Sequence, residues 1–286
     1  LNKTIAIQGA EGSNHHKVAR DFYGTEIELK ECMSFDILVD SLLDKSADLG
    51  VMALENTIAG SIIPNYALID KYNLHITDEE YLSIHHHLMA LKGQNIEDIK
   101  EVWSHPMALL QCKDFFKKHP HIKLVEDVDT AEVAKRISKE NLVGIAAIAP
   151  KIAAEIFDLD VLEDEIQTIK DNSTRFVIVQ TNAPNNGIDQ INKASLKFQL
   201  NHKRGSLAAI LNVLSDCKMN LTKIQSLPVI ESPWKYSFFV DITFDDYKDY
   251  QKAEAILEIM AEEFKILGTY KNGRLKPNSE LDSESK

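Results

Sequence analysis

Cysteine is scarce in this 286-residue chain: Cys32, Cys112 and Cys217 are the only three, odd in number and far apart. That fits reduced, buried thiols better than a disulfide framework or a metal knuckle. Long apolar runs are also missing. None approaches the ~20 residues a membrane span needs, and Leu1-Asn2-Lys3-Thr4 leads straight into a strand-like run rather than a secretion signal. Together these absences predict a cytoplasmic protein with no membrane partner. Positive charge is in deficit, with 32 Lys and Arg against 44 Asp and Glu and a net charge of -12. A nucleic-acid partner is therefore not expected, although a local pocket can still hold a small anion. The first glycine turn, Gly9-Ala10-Glu11-Gly12, is followed by no Lys-Ser or Lys-Thr pair and lacks the G-x-G-x-x-G spacing, so nucleotide binding is not expected either.

What is present is repetition of one unit: an apolar strand, a polar turn and a helix. Thr4 to Gln8 reads as a strand, and Ser13 can cap a helix to about Tyr23. Glu26 to Lys30 reads as a short strand, followed by a helix on which Phe35, Leu38, Val39, Leu42 and Leu43 keep helical spacing. Leu49 to Leu54 reads as a buried strand, broken by Glu55-Asn56-Thr57-Ile58-Ala59-Gly60 before a helix from about Ser61 to Lys71. Strands near Leu74 to Tyr81 and Ser83 to Ala90 follow. Glu101 to Ser104 then runs into His105-Pro106, where Pro suits a first helical turn, and the helix extends to about Lys118. Ile122 to Val125, a helix from Ala131 to Glu140, Leu142 to Ala146 and a helix from Pro150 to Phe157 repeat the pattern. This alternation predicts α/β layers with parallel sheet in two lobes. The turns would collect in a cleft, where helix N-termini at Ser13, Ser61, Pro106 and Thr130 would offer N–H groups to a small carboxylate.

Thr181 to Lys193, rich in Asn, has no apolar period and reads as a linker. Beyond it the order is strand (Ala194 to Asn201), helix (Ser206 to Cys217), two strands (Asn220 to Val229, Lys235 to Thr243), helix (Asp249 to Phe264) and strand (Lys265 to Tyr270). That βαββαβ order predicts a ferredoxin-like sandwich. The chain from Lys276 to Lys286 reads as a polar tail.

Asp171-Asn172-Ser173-Thr174-Arg175-Phe176 stands out, because it sets amide, hydroxyl and guanidinium groups just before the apolar run Phe176-Val177-Ile178-Val179. A Thr-Arg pair there can reach a pocket floor while Phe176 packs beneath it, and an ordinary capped turn is the plainer alternative. His85-His86-His87 and His119-Pro120-His121 invite a metal reading, but no Cys or Glu stands at ligand spacing. On a strand, His85 and His87 share one face and His86 points into the core, so no metal site is expected. Glu11 and Glu55 could form an acid/base pair, with surface or helix-cap roles equally economical.

Several of these motifs, in the same order, resemble the prephenate dehydratase family, a catalytic domain followed by a regulatory ACT domain. The resemblance rests on Gly9-Ala10-Glu11-Gly12-Ser13, Leu54-Glu55-Asn56-Thr57 with Gly60, Ser104-His105-Pro106-Met107-Ala108 with Gln111-Cys112, Asp129-Thr130-Ala131, and Asn172-Ser173-Thr174-Arg175-Phe176. In the last part of the chain, Gly205-Ser206-Leu207-Ala208 and Asn220-Leu221-Thr222-Lys223-Ile224 resemble the segments that hold phenylalanine in such regulatory domains. The chain departs from the family at Asn14-His15, where an aromatic residue and a hydroxyl are usual. It departs again at Gln225-Ser226-Leu227-Pro228, which replaces Glu-Ser-Arg-Pro and removes both charges.

The resemblance implies a two-lobed catalytic domain like a periplasmic binding protein over 1–181, with lobes of about 1–78 with 160–181, and 79–159. A linker at 182–193, an ACT domain at 194–272 and a tail at 273–286 would follow. It implies decarboxylating dehydration of prephenate to phenylpyruvate without metal or organic cofactor. Thr174 would be the donor to the leaving hydroxyl, and Asn56, Thr57, Ser104, Thr130, Arg175 and Phe176 would line the substrate. Arg175 could instead pair with Glu55 as a strut. Phenylalanine would bind at Gly205, Ser206, Leu207, Ala208, Asn220, Leu221, Gln225 and Ser226 in a homodimer or homotetramer. Dehydration of arogenate, and a non-catalytic carboxylate-binding regulator with an amino-acid sensor, are the alternatives.

Overall fold

The computed structural model describes residues 3–183, 191–201, 203–229 and 235–275. The expected tail over 276–286 and most of the expected linker, 184–190, lie outside the described residues. The chain divides into two compact units, Leu1–Ile62 with Tyr81–Phe176, and Ile63–Glu80 with Val177–Lys286. These units do not follow chain order, because a segment from the first third of the sequence is built into the second unit.

In the first unit, β1 (Thr4–Gln8), α1 (Asn14–Tyr23), β2 (Glu28–Cys32), α2 (Phe35–Leu43) and β3 (Leu49–Asn56) follow the expected alternation. β1 pairs in parallel with both β2 and β3. Ser13 caps α1 by accepting from His16 N–H, and Ser34 caps α2 by accepting from Ile37 N–H, both at 3.3 Å. The turn after β3 differs from expectation. Asn56 Oδ1 accepts from the N–H of Ile58 and Ala59 at 2.9 Å each, which folds the chain back so that β4 (Gly60–Ser61) pairs antiparallel with Asn56 and Glu55. The helix therefore begins later, as α3 (Ile63–Lys71). β5 (His75–Ser83) and β11 (Ser173–Gln180) complete a sheet of order β2-β1-β3-β11-β5.

A second sheet has the order β10-β6-β9-β7-β8, from β6 (His87–Ala90), β7 (Glu101–Ser104), β8 (Lys123–Glu126), β9 (Ile145–Ala149) and β10 (Asp160–Glu163). β7 is parallel to β8 and β9, and β6 runs antiparallel to β9 and β10. β10 keeps 160–163 in this sheet rather than returning them to the first lobe. The single helix expected after Pro106 is two, α4 (Pro106–Gln111) and α5 (Lys113–Phe116), broken at Cys112. α6 (Thr130–Glu140) is capped by Asp129 and α7 (Lys151–Phe157) follows Pro150. Met89, Val133, Ala134, Ile137, Ala147, Ala149 and Ala153 form the core between α6, α7 and this sheet.

The second unit holds β12 (Lys193–Gln199), α8 (Ser206–Asp216), β13 (Asn220–Pro228), β14 (Tyr236–Thr243), α9 (Tyr247–Met260) and β15 (Glu263–Tyr270). The antiparallel order β13-β14-β12-β15 is that of a ferredoxin-like sandwich, as expected. α9 ends four residues before Phe264, because Ala261 turns extended (φ -83°, ψ 148°). Phe264 then sits on β15 opposite Phe198 and still reaches the core.

Candidate active site

β3, β5 and β11 bring together groups far apart in sequence. The Asn56 side-chain amide donates from Nδ2 to Asn172 Oδ1 (2.6 Å), to Thr174 Oγ1 (2.9 Å) and to the Ser173 carbonyl (3.3 Å). Thr57 N–H donates to the Ser173 carbonyl and Ser173 N–H donates to Thr57 Oγ1, each at 2.9 Å. From the other side, Ile84 N–H donates to the Asn172 carbonyl (2.7 Å) and Ser173 Oγ to the Leu82 carbonyl (3.3 Å). Thr174 is thus held at the start of a buried strand by neutral amides and backbone groups. An amide nitrogen can only donate, so Thr174 Oγ1 accepts from Asn56 and keeps its O–H as the donor. A hydrogen bond received at oxygen also makes that O–H a better donor, since it offsets the charge left behind.

The cluster continues through residues not assigned from sequence. Asn172 Nδ2 donates to Gln111 Oε1 (3.3 Å), which also lies 2.7 Å from His86 Nε2. Because that oxygen only accepts, the proton of His86 sits on Nε2. Burial pushes the His86 pKa down, which keeps the ring neutral. Gln111 stood in a motif quoted for the family and Asn172 in the stretch before β11. Nothing in the sequence showed that they meet. His86 is buried as expected, but so is His87, at 6 % exposure, with Nδ1 2.9 Å from Asp164 Oδ1. The rings of His85 and His87 lie 6.5 Å apart, but the expected strand through all three histidines is not there: it begins only at His87, as β6. Cys112, beside Gln111, has its thiol pushed up to about 12 by burial and is chemically quiet.

The other expected contacts are placed differently. Phe176 is buried on the Thr174 face of β11, edge-on to the ring of His15 at 4.9 Å, and Phe35 lies 5.6 Å from the same ring. Arg175, 1 % exposed, points to the opposite face of β11. Ser104 is wholly buried and its hydroxyl donates to the Ile148 carbonyl (2.8 Å). Thr130 is half-buried at the start of α6. Neither Ser104 nor Thr130 joins the bonded cluster around Thr174.

Of the helix N-termini expected to receive a carboxylate, that at Thr130 is capped by a carboxylate of the chain itself, those at Ser13 and Pro106 have N–H groups bonded to the chain's own side chains, and Ser61 lies on β4 rather than at a helix start. Asp129 Oδ1 accepts from Ala131 and Glu132 N–H at 2.9 Å each, and its carboxylate also accepts from the backbone of Ala10. Glu11 N–H donates to Glu31 Oε1 (2.7 Å), Gly12 N–H to His16 Nδ1 (3.0 Å) and Met107 N–H to His105 Nδ1 (3.2 Å). Gly9 must be glycine on two counts: φ is +90°, and a Cβ would stand 2.7 Å from Asp129 Oδ2. Burial raises the Asp129 pKa, opposed by the backbone N–H groups it accepts from and by His105. Burial lowers the pKa of His15 to about 3, and its Nε2 is buried without a hydrogen-bond partner among the described residues.

A prephenate dehydratase family model matches residues 5–184, which contain this whole cluster. The chain belongs to the prephenate dehydratase family. It is 35 % identical over 276 residues to arogenate dehydratase/prephenate dehydratase 2 of Arabidopsis thaliana, covering 93 % of this chain and 72 % of that one. Among solved structures, prephenate dehydratase from Arthrobacter aurescens in complex with L-Phe superposes with a TM-score of 0.83 at 23 % identity, over 95 % of this chain and 90 % of that one. The quorum quenching acylase GqqA superposes equally well, TM-score 0.83 at 25 % identity, over 94 % and 98 %. The fold is therefore shared across activities, and residues rather than topology must choose the chemistry.

In the second unit, Gly205 takes the left-handed conformation (φ +81°) just before α8, and Ser206 Oγ donates to Asn201 Oδ1 (2.8 Å). Ser206 and Leu207 line a pocket of about 120 Å³ with Asn201, Lys203, Tyr236 and Phe238. Ala208 is exposed. Asn220 and Leu221 follow the far end of the 11-residue α8, roughly 16 Å from Gly205 at the helical rise. Gln225 and Ser226 lie further along the edge strand β13, where Gln225 Nε2 donates to the Ser226 carbonyl (3.0 Å). One chain does not bring the two expected phenylalanine segments together. No helix among the described residues is long and apolar enough to cross a membrane.

Proposed function

We propose that this chain catalyses the decarboxylating dehydration of prephenate to phenylpyruvate in the cytoplasm, as a carbon–oxygen lyase. The carbon–carbon bond to the ring carboxylate breaks and releases carbon dioxide. Its electron pair aromatises the ring, and the ring hydroxyl leaves, taking up a proton to become water. Aromatisation drives the reaction, so the protein need only orient the substrate and assist the leaving group. Thr174 does the second. The observation that carries this reading is the Asn56 Nδ2 to Thr174 Oγ1 hydrogen bond, which leaves the threonine as a preorganised donor. A threonine hydroxyl is too weak an acid to give up its proton outright, so it stabilises the leaving oxygen by hydrogen bonding. Asn56, Thr57 and Phe176 shape this end of the site, with Asn172, Gln111 and His86 fixing Asn56 from behind. No metal or organic cofactor takes part.

The ferredoxin-like module serves as a phenylalanine sensor of the ACT type. The segments around Gly205 and Asn220 lie at opposite ends of α8, so a ligand touching both is held between two copies, which supports at least a homodimer and accommodates a tetramer. Purified protein should convert prephenate to phenylpyruvate, and arogenate should be offered in parallel because a related plant enzyme carries both names. Turnover of arogenate alone would move the assignment to arogenate dehydratase. Turnover of neither, with phenylalanine still bound, would make the chain a non-catalytic regulator.

A further inference from the structure

An antiparallel sheet covered by helices on one face usually meets water on the other. In the second unit the other face is buried and charged. Along β12, Ala194, Leu196 and Phe198 enter the core beneath α8 and α9, while Lys193, Ser195 and Lys197 face away and are only 2 %, 3 % and 6 % exposed. Their cover is the segment Ile63–Glu80. Lys193 Nζ lies 2.8 Å from both carboxylate oxygens of Glu79, and Lys197 Nζ lies 2.8 Å from Asp70 Oδ2. Lys265 Nζ reaches Asp70 Oδ1 (2.9 Å) and Asn73 Oδ1 (2.8 Å). Backbone approaches closely enough to demand glycine: a Cβ at Gly268 would stand 2.1 Å from the Ile76 carbonyl oxygen, and one at Gly273 would stand 2.5 Å from that of Glu79. Gly273 N–H also donates to Glu79 Oε1 (3.0 Å).

β5 runs on from this seam without a break. Glu79 is bonded to Lys193 and Gly273, and Leu82, about 10 Å along the strand, accepts from Ser173 beside Thr174. We infer that β5 is the strut by which the sensor module acts on the catalytic corner, with the buried Lys193–Glu79 pair as its joint. This rests on the proposed dehydratase and phenylalanine-sensor reading. A buried ion pair adds little net stability over an apolar pair of similar size, so its value here lies in fixing one register between β5 and β12. A small shift of β12 or β15 then moves Glu79, and the extended strand carries that shift to the backbone that seats Asn172 and Ser173.

The test uses the full chain carrying Lys193→Met with Glu79→Met, which removes both charges together. Calorimetry measures phenylalanine binding, kinetics measure kcat/KM for prephenate with and without saturating phenylalanine, and hydrogen exchange follows the Ile84 amide, which bonds the Asn172 carbonyl. The expected result is folded protein with turnover within about threefold of wild type and phenylalanine bound within about tenfold. Phenylalanine would no longer change kcat/KM or the exchange of the Ile84 amide. Should the double variant fail to fold, Lys193→Gln with Glu79→Gln removes both charges, keeps a hydrogen-bonded pair in their place and is expected to alter the phenylalanine effect at least threefold. Wild-type inhibition in either folded double variant overturns the strut alone. A wild-type chain that turns over prephenate but shows no phenylalanine effect overturns the sensor reading and the strut with it.

Discussion

The two units bury polar side chains for opposite purposes. In the cluster bonded to Thr174 the side chains are neutral: amides of Asn56, Asn172 and Gln111, a hydroxyl, and an imidazole kept uncharged by burial. Beneath β12 and β15 the buried groups include ions, Lys193 paired with Glu79, and Lys197, whose ammonium meets the more open carboxylates of Asp70 and Glu263. Neutral donors and acceptors can be buried cheaply once paired and still present an aimed hydrogen bond to a ligand. Buried ions tolerate no such vacancy, because losing one partner strands the other. A corner built from amides can exchange hydrogen-bond partners with a ligand, whereas a seam built from ions holds one register.

The sharpest way to break this contrast is to remove one ion. Lys193→Met alone should destabilise the chain by about 3–5 kcal/mol, because the buried Glu79 carboxylate loses the ammonium that balances its charge, read as a lower denaturant midpoint, with most of the loss recovered when Glu79→Met is added. A fall of under ~1 kcal/mol for the single variant would mean that the pair is not desolvated as its burial indicates. In the neutral cluster the loss should appear in rate rather than in stability. Thr174→Ala should lower turnover of prephenate by ~10²–10³-fold with an unchanged melting curve, and Thr174→Ser should recover part of it. A folded Thr174→Ala enzyme of normal turnover would remove this hydroxyl from the chemistry.

His15 tests how strictly the apolar pocket it shares with Phe35 and Phe176 excludes charge. Its pKa falls from an ordinary 6.5 to about 3, so as pH drops below 6.5 the unfolded chain takes up a proton that the folded chain refuses. The stabilising contribution is complete above pH 6.5 and is lost as pH falls toward 3, at about 1.4 kcal/mol per pH unit. His15→Phe should flatten the loss of stability between pH 7.5 and 5.5 by about 1 kcal/mol, measured by urea unfolding at each pH; parallel curves would count against a neutral, buried imidazole. The smallest effect concerns the thiols. Cys217, half-buried, should react with a maleimide before Cys112 and Cys32, which are buried with raised pKa values. Mass spectrometry of the native protein should find the first label on Cys217.

Read along the chain alone, most of the alternating strands and helices, the cap at Ser13 and the βαββαβ order after residue 193 were legible, because these rest on local periodicity and turn chemistry. The sequence also carried Asn56 and Thr174, since both sit in motifs short enough to read in a row. It could not show that Asn56 bonds to Thr174 across 118 positions, that Gln111 and His86 stand behind Asn172, or that Asp129 accepts from Ala10. Nor could it show that Ile63–Glu80 leaves the first unit to bury Lys193 and Lys197, where the periodicity of β12 looks like any strand with a wet face. Those outcomes depend on which strands become neighbours. That is a property of sheet order and long-range closure, and no window of residues along the chain contains it.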